Sequence, residues 1–152
     1  MKIVIIANRL PVNVQKKNDK ITVTSSAGGL ATGLGSLETT AEKVWIGWPG
    51  IHTDDEKEKD IITKKLNRLK FHPVFLSQEH IEKYYEGYSN STIWPLCHYF
   101  FSYVEYKNEY WNTYKEVNRL FSEAALPHIE DDDIIWVQDY QLMLLPKMIR
   151  DN

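Results

Sequence analysis

Residues 2 to 7, Lys2-Ile3-Val4-Ile5-Ile6-Ala7, carry four β-branched apolar side chains in succession. A strand with one wet face alternates apolar and polar residues. An unbroken run instead reads as a strand covered on both faces, the habit of parallel sheets flanked by helices. The run is too short for the apolar stretch of a signal peptide and leads straight into Asn8-Arg9. The chain is therefore expected to be an α/β domain built outward from a buried first strand.

The rest of the sequence follows that plan. Val12 to Val14 and Ile21 to Thr24 can pair as a hairpin across the polar segment that begins Lys16-Lys17-Asn18. Gly28-Gly29 is expected to open a helix with Leu30, Leu34 and Leu37 at helical spacing. Val44 to Trp48 reads as a strand ended by Pro49-Gly50. Thr53 and Glu56 have the spacing of a capping box, with Ile62, Leu66 and Leu69 as the apolar stripe of the helix they start. Phe71 to Phe75 is a further expected strand, and Ser77 a cap for a short helix through Tyr85 that stops at Gly87. Tyr110, Tyr114, Val117, Phe121 and Ala124 mark a helix over 109–125 that Pro127 ends. Strand 134–137 and a helix to residue 150 follow, and the chain stops at once. That ending has the look of a sheet interrupted partway. One incomplete domain over 1–152 is expected, with any boundary beyond it.

Composition narrows the function classes. A net charge of −3 lacks the basic face of a nucleic-acid binder. No apolar run approaches the length of a membrane span. The single cysteine, Cys97, excludes an internal disulfide and fits a reducing, cytoplasmic setting. The acidic run Glu130 to Asp133 has no histidine or second acidic cluster at ligand spacing, so it reads as a solvated turn and not a metal site.

Ligands of doubly wound sheets bind beyond the carboxyl ends of the strands, and four segments fall there. Arg9, after the first strand, can fork onto a phosphate or pair with a surface carboxylate. Ser25 to Leu30 contains two glycines whose bare backbone can approach an anion, or simply turn the chain. The aromatic stretches Tyr84 to Asn90 and Ile93 to Phe100, with His98, suit stacking on sugars and equally suit a core. Asp139, ending a buried strand, can bind hydroxyls or cap the next helix.

Taken in order, seven stretches resemble the trehalose-6-phosphate synthase family. They are Asn8-Arg9-Leu10-Pro11-Val12, Ser26-Ala27-Gly28-Gly29-Leu30, Gly47-Trp48-Pro49-Gly50, Tyr84-Tyr85 to Ser89-Asn90, Ile93-Trp94-Pro95-Leu96, Trp111 to Asn118, and Trp136 to Pro146. The resemblance implies a GT-B fold, two Rossmann-like domains around a cleft, of which this chain is part of the N-terminal, acceptor-side one. It implies transfer of glucose, usually from UDP-glucose, to glucose 6-phosphate with retention, without metal or other cofactor. It leaves homo-oligomerisation of the full-length protein open. By the same likeness Arg9 holds the acceptor phosphate, with Tyr85 and Trp94 shaping that pocket and Trp48 lining it. Asp139 bonds acceptor hydroxyls, and Gly28 and Gly29 lie against the donor diphosphate. Retention is implied to proceed with the leaving phosphate helping to deprotonate the attacking hydroxyl, so positioning is the main catalytic device. One departure stands out: many relatives have histidine where this chain has Gln138 and Gln141. A sugar-phosphate-binding regulatory subunit and a GT-B transferase with another acceptor are the competing readings.

Overall fold

In a computed structural model, the described residues are 1–18, 20–26, 32–33 and 39–152. Of the helix expected from Gly28 through Leu37, Thr32 and Gly33 are helical, and the rest lies outside the described residues. Strand β1 (Lys2–Arg9) sits inside a four-stranded parallel sheet ordered β5-β4-β1-β6, with β4 (Glu42–Trp48), β5 (Phe71–Pro73) and β6 (Ile134–Gln138). The strands β2 (Val12–Lys17) and β3 (Lys20–Ser25) form the expected antiparallel hairpin, with Val14 opposite Val23.

The apolar run of β1 is divided between two cores. Val4 and Ile6 face a cluster with Ile46, Tyr84, Tyr114, Phe121 and Leu142, while Ile3 and Ile5 face one with Trp45, Ile62 and Leu66. Side chains alternate across a strand, so a strand buried on both faces needs apolar residues throughout. Lys2 anchors the start of β1. Its ammonium lies 2.9 Å from the Asp133 carboxylate, which also accepts its backbone N–H. Burial alone would raise the Asp133 pKa, but these bonds outweigh it and hold the carboxyl down at about 2. The acidic turn is thus a clasp between β1 and β6.

Helix α1 (Glu56–Asn67) buries Ile62 and Leu66 as expected, but Leu69 is half exposed. Its cap is Asp55, whose carboxylate accepts the Lys57 N–H. Thr53 instead donates to the Glu58 carboxylate and accepts the Asp55 N–H. Both residues are competent caps, and the helix starts two residues later than expected, on Asp55 with no reciprocal box.

Ser77 does cap a helix, with a reciprocal box to His80. That helix, α2, does not stop at Gly87: it runs from Gln78–His80 through a π-helical Ile81–Ile93 into Trp94–Cys97. Gly87 is buried, and a β-carbon there would come within 2.9 Å of the Tyr110 ring. The glycine is a seat for an aromatic ring, not a terminator. Helix α3 (Asn108–Ala125) covers this face through Tyr114, Val117 and Phe121, while Tyr110 and Ala124 are only partly buried. After β6 come a short 3₁₀ turn (Tyr140–Leu142) and helix α4 (Leu145–Arg150). No helix among the described residues is long and apolar enough to cross a membrane.

Candidate active site

The carboxyl ends of β1 and β6 lie side by side, with Ala7 in register with Gln138. Beyond that pair the chain delivers Arg9 from one strand and Asp139 from the other. A pocket of about 130 Å³ opens there, lined by Ala7, Asn8, Arg9, Tyr85, Gln138, Asp139 and Gln141. Three sequence-selected residues, Arg9, Tyr85 and Asp139, are therefore brought together from positions far apart in the chain.

Each is held differently. Arg9 is exposed, and its Cζ sits 4.9 Å from the centre of the Trp48 ring, within cation–π range. Among the described residues it has no carboxylate partner, so its hydrogen-bond donors remain available. Trp48, expected to line the site, is not among the residues around the pocket; it is buried behind Arg9 and Tyr85, its indole N–H donating to the Ile51 carbonyl and its ring 6.3 Å from that of Tyr85.

Asn8 is buried, and its side-chain carbonyl accepts from the hydroxyl of fully buried Tyr84 at 2.9 Å. This bond ties the end of β1 to α2 one residue before Tyr85. Burial, then the neighbouring phenols Tyr114, Tyr85 and Tyr140, push the Tyr84 pKa well above its usual 10, so it is a neutral donor.

Asp139 has φ 77° and ψ 171°, a region that glycine alone visits freely and that costs another residue about 1–3 kcal/mol. Its carboxylate accepts the Tyr140 N–H at 2.8 Å, and the Tyr140 hydroxyl donates to Asn90 of α2. The capping geometry weighed from the sequence is present, but on a strained backbone at the rim of a pocket. Such strain persists only where the surroundings over-determine it, commonly at functional sites. Gln138 is engaged by the Trp136 indole N–H at 3.0 Å. Among the described residues that line the pocket there is no histidine.

Trp94 is placed elsewhere. It lines a separate cavity of about 420 Å³ with Asn90, Ser91, Pro95, Phe100, Tyr103 and Glu105, and stacks on His98 at 3.8 Å. The expectation that Tyr85 and Trp94 shape one pocket is corrected to two cavities that share no lining residue, Asn90 belonging to that of Trp94. The reason is α2, which continues past Gly87 and carries Trp94 more than two turns beyond Tyr85. His98 also meets the Trp94 carbonyl at 2.7 Å, a local structural role. Gly28 and Gly29 lie outside the described residues.

Asn8, Tyr84, Asn90 and Gly50 stood within the stretches singled out from the sequence but had no individual role there. Gly50 has φ +80°, and its backbone lies against the Arg9 guanidinium. The signal available for it was Pro49-Gly50, the pairing favoured in a type II turn.

Comparison with known proteins agrees with this architecture. The chain is 41% identical over 152 residues to an α,α-trehalose-phosphate synthase (UDP-forming) of Botryotinia fuckeliana, covering 99% of this chain and 29% of that protein. It superposes with a TM-score of 0.75, at 26% identity, on an E. coli trehalose-6-phosphate structure bound with UDP-2-fluoro glucose, covering 99% of this chain and 30% of that one. A Burkholderia xenovorans α,α-trehalose-phosphate synthase in complex with glucose-6-phosphate gives a TM-score of 0.73 at 25% identity, covering 99% and 31%. The chain thus spans about 30% of the length of these relatives. The α/β, mainly parallel sheet matches theirs, and Glycosyltransferase family 20 matches across residues 1–152; the chain belongs to that family.

Proposed function

We propose that this chain is the acceptor side of a retaining glycosyltransferase that moves glucose from UDP-glucose to glucose 6-phosphate, forming trehalose 6-phosphate and UDP. The observation that carries the reading is the Arg9 guanidinium, without a carboxylate partner among the described residues, beside Tyr85 and Asp139 at the carboxyl ends of two adjacent strands. A pocket of 130 Å³ is below the ~300 Å³ of an ordinary ligand site, so it suits a phosphate better than a whole sugar phosphate. The hexose then extends toward the Trp94 cavity, its apolar face on the aromatics and its hydroxyls toward Asp139. In the transfer, the glucose–diphosphate bond breaks and the acceptor's anomeric oxygen attacks from the same face. Its proton passes to the leaving phosphate. Among the described residues Asp139 is the only carboxylate lining the pocket, whereas an ordinary glycosidase needs two.

The chain's share in the rate is placement, since holding both reactants removes entropy from the barrier. Gly28 and Gly29 meet the donor diphosphate in this reading, with the remaining donor contacts supplied from outside these residues. The lone free cysteine, Cys97, fits a cytoplasmic enzyme.

The test is Arg9→Ala in the full-length protein. Losing a charge-assisted contact costs roughly 1.5–3 kcal/mol, or about ten- to a hundredfold in KM for glucose 6-phosphate, with the KM for UDP-glucose little changed. An equal rise in both constants would reject Arg9 as the acceptor-phosphate ligand.

A further inference from the structure

Arg9 lies on the surface at the end of a strand, where a long side chain ordinarily samples many rotamers and loses that freedom on binding an anion. Here two neighbours restrict it. The Trp48 indole lies 4.9 Å from Cζ, and the backbone of Gly50 packs against the guanidinium itself. A β-carbon built on Gly50 would fall 2.2 Å from Nη2, 2.3 Å from Cζ and 2.7 Å from Nη1. All three of its nearest atoms thus belong to the guanidinium, and none belongs to a backbone. The space where any other residue would carry a side chain is occupied by the charged head of Arg9.

We propose that Gly50 is a positioning residue for acceptor recognition: its missing side chain is the seat that holds the Arg9 guanidinium on Trp48 for the acceptor's phosphate. The proposal rests on Arg9 being the ligand of that phosphate. Two demands fall on this position. Its φ of +80° favours glycine for conformational reasons, and the seat requires it for steric ones. They are separable, because asparagine tolerates positive φ far better than alanine yet still brings a β-carbon. The clash is with the far end of a flexible side chain, so the fold can absorb it by swinging Arg9 aside. The consequence is then read in acceptor binding more than in stability.

The experiment uses the full-length protein and compares Gly50→Ala, Gly50→Asn, Arg9→Ala and Gly50→Asn/Arg9→Ala, with steady-state constants for glucose 6-phosphate and UDP-glucose. Both Gly50 variants are expected to raise the KM for glucose 6-phosphate about tenfold, the loss of one charge-assisted hydrogen bond, with the KM for UDP-glucose within about twofold. In the Arg9→Ala background Gly50→Asn is expected to add nothing, because it acts only through the guanidinium. If Arg9→Ala leaves acceptor KM unchanged, the reading of Arg9 fails and this proposal with it. If Arg9→Ala raises acceptor KM while Gly50→Asn does not, or if the two effects add, Arg9 stands and Gly50 as its seat is overturned. Loss of the folded state in both Gly50 variants also overturns it, since the collision would then fall on the backbone.

Discussion

Tyr84→Phe isolates one hydrogen bond at the point where the fold hands Asn8 and Arg9 to the pocket. Tyr84 is fully buried, its ring packed 5.8 Å from that of Tyr114, and its hydroxyl donates to Asn8 at 2.9 Å. Phenylalanine keeps the ring and its packing, so no cavity beyond one oxygen is made. What changes is that the side-chain carbonyl of Asn8, a residue 6% exposed, loses its donor. An unsatisfied buried acceptor costs about 1–3 kcal/mol, more than the net value of the bond itself. With a urea m-value of roughly 1.5 kcal/mol/M for a domain of this size, a loss of ~1.5 kcal/mol lowers the midpoint by about 1 M. Urea unfolding followed through tryptophan emission measures this, the slope serving to check that the folded state is unchanged. Adding Asn8→Ala should cost less in the Tyr84→Phe background than alone, with a coupling of about 1 kcal/mol. A midpoint shift below about 0.3 M, or strict additivity, would refute the reasoning and leave ring packing as the sole contribution.

The tilted ring pair His72 and His128, with centroids 3.7 Å apart, gives a pH prediction. Burial first, then the charges of His128 and Lys70, lowers the pKa of His72, and burial followed by Lys2 lowers that of His128. Folded-state values below the unfolded ~6.5 mean that the neutral forms favour folding. Stability is therefore full above about pH 6.5, falls as the pH drops through that value toward the folded pKa values, and His128→Gln flattens this limb in thermal melts. At Asp139, glycine relieves the backbone and alanine does not, so Asp139→Gly should be the more stable variant by about 1–2 kcal/mol. Unfolding midpoints that rank alanine at or above glycine, the ordinary helix and strand order, would remove strain from the account.

Much of this scaffold was legible in the residues. The polar-free run of β1 required cover on both faces, and the period of Tyr114, Val117 and Phe121 required one buried face on α3. The site was legible as positions after strands, which local pattern does supply. Its internal geometry was not, because it depends on contacts between segments distant in sequence. Gly50 meets Arg9 across 41 residues, and nothing local in Pro49-Gly50 says what fills the space. Gly87 carries the same lesson: a glycine in a helical stretch reads as a stop, and here it receives the Tyr110 ring. The wider i→i+5 winding of α2 leaves no signature in a 3.6-residue period, so the placement of Trp94 could not be read from its distance to Tyr85.

The pocket's two charges illustrate how little energy such placement requires. Arg9 and Asp139 leave neighbouring parallel strands, one two residues beyond Ala7 and the other one beyond its partner Gln138. Opposite charges delivered so close at an exposed rim would be expected to pair. They do not: Arg9 is drawn toward β4 by Trp48 and the backbone of Gly50, and the Asp139 carboxylate is turned onto the Tyr140 N–H. An exposed ion pair is worth only about 0–1 kcal/mol. One cation–π contact of roughly 0.5–1 kcal/mol and one charge-assisted hydrogen bond are enough to outweigh it. The strained backbone at Asp139 is part of the same arrangement, since a relaxed residue there would aim its carboxylate differently. Under the proposed function, keeping the pair apart is what leaves the Arg9 cation for the acceptor phosphate and the Asp139 lone pairs for its hydroxyls. A salt bridge would have silenced both.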